Sequence, residues 1–202
     1  MSTRNVYTID ESLLWEKILA GDEDAYSYLY RQYVEELFSY GMRFTSDKEL
    51  IKDCIQDLFV KIYSNRSNLS CTDNVKLYLF IALKNILFNV FEKDKSLYKM
   101  DTIEPVFTVE YTIEDEWIEN ELEQERRNKI NKVLETLTPR QKEVIYYRYT
   151  KGLKLNHIGE IMDMNYQSVQ NLLQRSIKKL RSALAEKEKQ KAFIKKMRSE
   201  SQ

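Results

Sequence analysis

Apolar residues recur at helical spacing along most of the chain. Leu13, Leu14, Ile18 and Leu19 mark the inward side of a short helix over 12–20, which Gly21 breaks. Asp22 or Asp24 can cap a second helix reaching about Gly41, with Ala25, Tyr26, Leu29, Tyr33, Leu37 and Phe38 at helical intervals. Ser46 followed by Glu49 reads as a capping box opening a third helix, whose apolar set is Leu50, Ile51, Cys54, Ile55, Leu58, Phe59 and Ile62. A polar loop dense in turn formers, 65–74, precedes a fourth helix from about Val75 to Phe91, carrying Leu77, Phe80, Ile81 and Val90 on one side. Four such helices predict a compact bundle with most of its aromatic rings inside.

The pattern fails from Asp94 to Thr112, where Pro105 and a β-branched, aromatic run stand instead. This stretch reads as a linker without firm structure. About 19 residues at up to ~3.3 Å each reach roughly 60 Å. Helical spacing resumes from Glu114 to Leu137. The expected organisation is therefore all-α: an N-terminal domain over 1–94, a linker over 95–112, a C-terminal domain over 113–186 and a charged tail over 187–202.

Residues 137–184 organise the second domain. Thr138 is placed as an N-cap, Pro139 as the first helical residue and Gln141 as the partner in a capping box; Gly152 can supply the left-handed residue that ends this helix. A second helix runs from about Lys154 to Met162, and Gly159 on it would admit a neighbouring backbone. Asp163, Met164 and Asn165 form a short turn, Asn165 being a suitable cap for the next helix. There Val169, Leu172, Leu173, Ile177, Leu180 and Leu184 make an apolar stripe. The opposite face carries Gln167, Asn171, Gln174, Arg175 and Lys178, flanked by Ser168 and Gln170. Amide side chains suit adenine edges, Arg suits guanine or phosphate, and Lys suits phosphate. Helix, short turn and amide-rich helix together predict a helix-turn-helix reading a major groove.

Charge sharpens this picture. The 202 residues sum to zero net charge, but 129–202 hold 17 basic against 7 acidic residues, while 96–128 hold 3 against 10. A basic C-terminal domain fits a polyanion with salt-dependent affinity. Only four Gly and two Pro agree with a mostly helical chain. No apolar run is long enough to span a membrane and the N-terminus does not read as a signal peptide, so stable membrane insertion is not expected and a reducing cytoplasm is. Cys54 and Cys71 read as packing residues. No metal-spaced ligand set, glycine-rich phosphate loop or nucleophile elbow occurs, so no cofactor, metal or catalytic residue is expected. The single His157 reads as a surface residue or a phosphate neighbour of the reading motif.

The chain resembles the extracytoplasmic-function sigma factors, the short two-domain members of the sigma-70 family of bacterial RNA polymerase. In the first half the resemblance rests on Asp24, Ala25, Tyr26, Leu29, Tyr30 and Tyr33, on Asp53, Gln56, Asp57 and Phe59, and on Tyr78, Ala82 and Asn85. In the second half it rests on 137–141, Tyr149, Gly152, Leu153, Ile158, Glu160, Ile161, Val169 and 178–180. It implies that the chain binds core RNA polymerase through Asp53, Gln56 and Asp57. It also implies that the polar loop and the helix after it melt and read the downstream (−10) promoter element, through Asn65, Arg66, Asn68, Lys76, Lys84, Asn85 and Asn89. Splayed bases need a polar pocket and their backbone needs cations, which agrees. The helix-turn-helix would read the upstream (−35) element as duplex, and the acidic linker would lie in the polymerase's product-exit path. An anti-sigma factor is a further partner that the resemblance admits.

Two departures stand out. Asp163 occupies a turn position where many relatives have Gly, and Gln170 and Asn171 stand where many have basic residues. The alternatives differ in partner chemistry. A conventional repressor would need a dimer and a palindromic operator; a helical enzyme would need reactive groups that the motifs do not supply.

Overall fold

The computed structural model describes residues 11–98, 107–109 and 121–200. Among them no strand occurs, in keeping with the all-α class, and the chain divides into two compact units, 1–106 and 107–202.

The first unit contains α1 (Glu11–Leu19), α2 (Glu23–Gly41), α3 (Lys48–Asn65), a short 3₁₀ turn (Arg66–Asn68) and α4 (Val75–Tyr98). Asp22 caps α2, its carboxylate accepting from the Ala25 amide at 3.0 Å. The cap of α3 is Asp47, not the expected Ser46: its Oδ1 accepts from both Glu49 and Leu50 amides at 3.1 Å. A carboxylate one residue nearer the helix is the better acceptor for two orphan N–H groups.

On α1 the expected inward set is turned by about one residue. Leu13 is exposed, whereas Trp15 is fully buried with Leu14 and Ile18. Burying an indole removes more apolar surface than burying a leucine, and the ring also donates from Nε1 to the Ser70 carbonyl at 3.0 Å. The α3 set is buried as expected except for Leu50, which is half-buried. On α4 the buried line is Val75, Leu79, Leu83 and Leu87 with Leu77 and Phe80, while Ile81 and Val90 are half-buried. Tyr40 stacks on Phe80 with centroids 4.5 Å apart and planes 7° from parallel. Cys54 is buried, and burial, with Asp57 and Asp53 nearby, pushes its thiol up to about 11.

The backbone of α4 remains helical through Tyr98, past the expected start of the linker at 95. Of that linker, 99–106 and 110–112 lie outside the described residues. Phe107 is described and buried, so part of the stretch expected to lack structure belongs to the second unit's core. The helix expected from Glu114 is described only from Glu121, and α5 (Glu121–Leu134) stops before Leu137.

In the second unit, α6 (Pro139–Ile145) opens with the expected capping box between Thr138 and Gln141 and runs into a π-helical turn (Tyr146–Thr150). Gly152 follows with φ 66°, in the left-handed region. Then come α7 (Leu155–Met162) and α8 (Tyr166–Glu200). The charged tail expected from 187 is thus continuous with α8 in its backbone. Gly159 lies where a Cβ would stand 2.6 Å from the Met164 carbonyl oxygen. The Met164 amide donates to the Gly159 carbonyl at 2.8 Å, closing the turn on the same backbone.

Gly159→Ala is expected to destabilise the second unit by about 2 kcal/mol through this overlap, despite alanine's better helix propensity. A thermal melt of the full chain showing an unchanged or raised midpoint would contradict the close approach.

Candidate nucleic-acid interface

The helix-turn-helix is built on a well-buried base. Ile158, Ile161 and Met162 of α7 face inward with Val144, Ile145, Tyr146 and Tyr147. Asp163 ends α7 with φ 51° and ψ 55°, so an aspartate takes a left-handed position that favours glycine. Asn165 caps α8, its Oδ1 accepting from the Ser168 amide at 2.8 Å. The turn therefore closes despite the departure at 163.

α8 is held mainly through its first three turns. Val169 and Ser176 are fully buried, the Ser176 hydroxyl donating to the Leu172 carbonyl at 2.7 Å. The rest of the expected stripe is less enclosed: Leu172, Leu173, Ile177 and Leu180 are half-buried and Leu184 is exposed. Ser176 was no part of that stripe. A small hydroxyl that bonds its own helix backbone fits against a neighbouring helix where a leucine would not.

Gln167, Asn171, Gln174, Arg175 and Lys178 are all exposed on this helix, while Ser168 and Gln170 are half-buried at its flank. The five exposed residues span roughly 17 Å of axis at ~1.5 Å per residue. Gln167 Nε2 donates to Asn171 Oδ1 at 3.1 Å, and Arg175 Nε donates to the Asn171 carbonyl at 3.3 Å. These bonds order the surface side chains into a row. Tyr166, 56% exposed at the head of α8, stands to one side of this row and was not singled out in the sequence.

The residues of the first unit are less uniform. Asn65 and Asn68 are exposed around the 3₁₀ turn. Arg66 is half-buried: Nη1 donates to the Tyr63 carbonyl at 2.6 Å and the guanidinium lies 4.5 Å from the Tyr63 ring centroid. Lys76 is paired with Glu36 at 2.7 Å, both partly shielded, with its ammonium 5.7 Å from the Phe80 ring. Lys84 lies 5.5 Å over Phe88. Asn85 and Asn89 are exposed, but helical geometry sets them about half a turn round α4 from Lys76. The structure thus brings Asn85 and Asn89 together on one side and commits Lys76 to another.

Asp53, Gln56 and Asp57 share the solvent face of α3. Val60, one turn further, is 53% exposed and lines a cleft of about 300 Å³ between α2 and α3 with Glu23, Tyr26 and Tyr63. The Tyr26 hydroxyl donates to the Phe59 carbonyl at 2.9 Å, and burial, with Tyr63 and Tyr30 nearby, raises its pKa. Among the described residues no cluster of His, Cys, Asp or Glu could hold a metal, and no helix is long and apolar enough to cross a membrane.

A helix-turn-helix with an exposed amide and cation row on its second helix defines a DNA-binding class. Within that class, residues 127–180 match the family of sigma-70, region 4. The chain is 24% identical over 156 residues to the RNA polymerase sigma factor YlaC of Bacillus subtilis (strain 168), covering 76% of this chain and 88% of that protein. Its fold is similar to that of CnrH solved with the cytosolic domain of CnrY, at a TM-score of 0.56 and 14% identity, over 88% of this chain and 98% of that one. It is likewise similar to the sigma factor RpoE solved with the anti-sigma factor NepR from Bartonella quintana, at a TM-score of 0.55 and 17% identity, over 79% of this chain and 96% of that one. These findings bear out the sigma-factor resemblance read from the sequence.

The left-handed Asp163 carries its own test. Asp163→Gly is expected to leave stability unchanged or slightly raised, because glycine adopts that φ without strain. Asp163→Val is expected to lose about 1–2 kcal/mol. Equal melting temperatures for the two variants would contradict the assigned backbone.

Proposed function

We propose that this protein is a transcription initiation factor that joins core RNA polymerase and directs it to promoters. The observation that carries the reading is the exposed row Gln167, Asn171, Gln174, Arg175 and Lys178 on a helix fixed by its own buried face. In this reading α8 enters the major groove of an upstream (−35) element. Amide groups read base edges there while Arg175 and Lys178 hold phosphate or guanine. Ser168 and Gln170 stand at the rim of the groove.

The first unit acts on the downstream (−10) element once it opens. Asn65 and Asn68 beside the 3₁₀ turn offer donors and acceptors to splayed bases, and Asn85 and Asn89 extend this polar surface along α4. Arg66 supports the turn from beneath, through the Tyr63 carbonyl. Lys76 and Lys84 supply charge to the strand backbone, Lys76 by exchanging Glu36 for a phosphate. An ion pair that still meets solvent at the surface is worth on the order of 1 kcal/mol, so that exchange costs little.

Core polymerase is met by the α3 face. Asp53 and Asp57 provide charge, Gln56 a bidentate amide, and the exposed Val60 an apolar contact among them. Phosphodiester chemistry then belongs to the polymerase, and this chain supplies recognition. An anti-sigma factor would regulate it by covering one of these faces. The protein works where the polymerase works, in the cytoplasm.

Two measurements test the assignment. Asp53→Ala with Gln56→Ala should weaken co-purification with core polymerase at least about tenfold, the order expected when hydrogen-bonded groups at an interface are removed, with the melting curve unchanged. Undiminished co-purification would move the docking face elsewhere. Exchanges at Gln170 and Asn171 should alter base preference in the upstream element, a bidentate contact being worth about 1–3 kcal/mol of discrimination. An identical preference profile in run-off transcription from randomised promoters would exclude those two positions from base reading.

A further inference from the structure

We infer that Trp15 is a positioning residue for base selection in the downstream element: the hydrogen bond from its indole to the Ser70 carbonyl holds the loop 65–74 in the shape that discriminates among splayed bases, although Trp15 itself meets no DNA. This rests on the promoter-directing reading above. It adds a determinant on α1, outside every surface assigned there.

Near neighbours tie the loop at both ends. At its start the Leu69 amide donates to the Arg66 carbonyl at 3.4 Å, and Arg66 Nη1 donates to the Tyr63 carbonyl at 2.6 Å. At its end Asn74 caps α4, its Oδ1 accepting from the Leu77 amide at 2.9 Å, and the Asn74 amide donates to Thr72 Oγ1 at 3.2 Å. In the middle the side chains of Ser70 and Cys71 are exposed. There the tie comes from α1, Trp15 Nε1 donating to the Ser70 carbonyl at 3.0 Å. The carbonyl is thereby turned inward while the side chains beside it face solvent. A buried indole N–H needs an acceptor, and a carbonyl turned toward a buried ring needs a donor, so each group fixes the other.

The donor is itself fixed. Trp15 is 0% exposed, with Leu14 and Ile18 buried beside it on α1. Its ring centroid lies 5.0 Å from that of Tyr78, the planes 59° apart. The Tyr33 hydroxyl donates to Glu11 Oε1 at 2.7 Å, which joins α1 to α2. The chain turns between those helices at Gly21, where φ is 91°, and the Gly21 and Asp22 amides donate to the Ile18 and Lys17 carbonyls at 3.0 Å. This turn adjoins the start of the loop: a Cβ on Gly21 would stand 3.5 Å from Arg66 Nε. α1 and its turn therefore back the loop at Arg66 and at Ser70, and Asn68, exposed between these two points, is the side chain they present. Groups that recognise a ligand by hydrogen bonds must be held to within about half an ångström. Releasing Ser70 would leave Asn68 in place but no longer at one position.

The test uses the full chain. Trp15→Phe keeps a ring beside Tyr78 and lacks the N–H; Trp15→benzothienylalanine keeps the fused rings and lacks it too. Amide hydrogen exchange over 65–74 should quicken at least about threefold in both variants, the order set by losing one net hydrogen bond, with exchange in α3 unchanged. With core RNA polymerase, the ratio of output between the best downstream (−10) element and single-base variants of it should shrink at least about threefold. The corresponding upstream (−35) ratio and co-purification with core enzyme should stay at their wild-type values. Unchanged exchange in the loop overturns the inference. Faster exchange with an unchanged downstream ratio overturns it equally, because Trp15 is then a core ring and nothing more. An equal fall in both ratios also overturns it, as the mark of a general loss of structure. If Trp15→Phe unfolds, the benzothienylalanine variant decides on the same outcomes. Wild-type protein whose output with core enzyme ignores the downstream element would remove the reading beneath the inference, and the inference with it, whatever the exchange rates.

Discussion

The helix-turn-helix depends on one backbone contact. At Gly159 the chain of α7 comes so near the Met164 carbonyl that a single added carbon would overlap it. The turn is only as short as it is because this approach is possible. A short turn in turn allows Asn165 to cap α8 and directs Val169 back onto α7, so that the polar row from Gln167 onward faces outward. Strain in the turn is confined to Asp163, whose left-handed backbone is tolerable because an aspartate can adopt it at modest cost. Side chains that must be held to within fractions of an ångström gain from such a stiff foundation.

In the first unit the corresponding constraint is aromatic. Tyr40 against Phe80, and Trp15 against Tyr78, tie helices distant in sequence into one body. Flat rings fill irregular interhelical space and lose little side-chain entropy in doing so. The same economy brings Tyr26, Tyr30, Phe59 and Tyr63 together at the far side, where the packing remains open and leaves the cleft beside Val60.

How far the sequence could carry this depended on the range of the interactions. Most caps were legible because they are local: Asp22, Thr138 and Asn165 each stand within three residues of the amide they satisfy, and only at α3 did the choice fall one residue off, on Asp47. The α3 core and the α8 polar row were legible because a helix repeats regularly. Choices settled by tertiary contact were not. Trp15 displaces Leu13 from the core because the Ser70 carbonyl and the Tyr78 ring await it, far along the chain. Lys76 looked available for DNA because nothing near it in sequence announces Glu36. Phe107 looked like part of a loose tether because its partners, Tyr146 and Tyr147, are turned inward by a π-helical turn that periodicity at 3.6 residues does not anticipate.

The indole of Trp15 reaches across 55 positions to hold the Ser70 carbonyl, in the middle of the loop proposed to receive unpaired bases. That loop therefore borrows its shape from the opening helix. Trimming the amino-terminal residues to obtain a tidier fragment would remove the strut and leave the binding elements nominally present but differently posed. The loop of such a fragment would then hold a shape that the intact polypeptide does not.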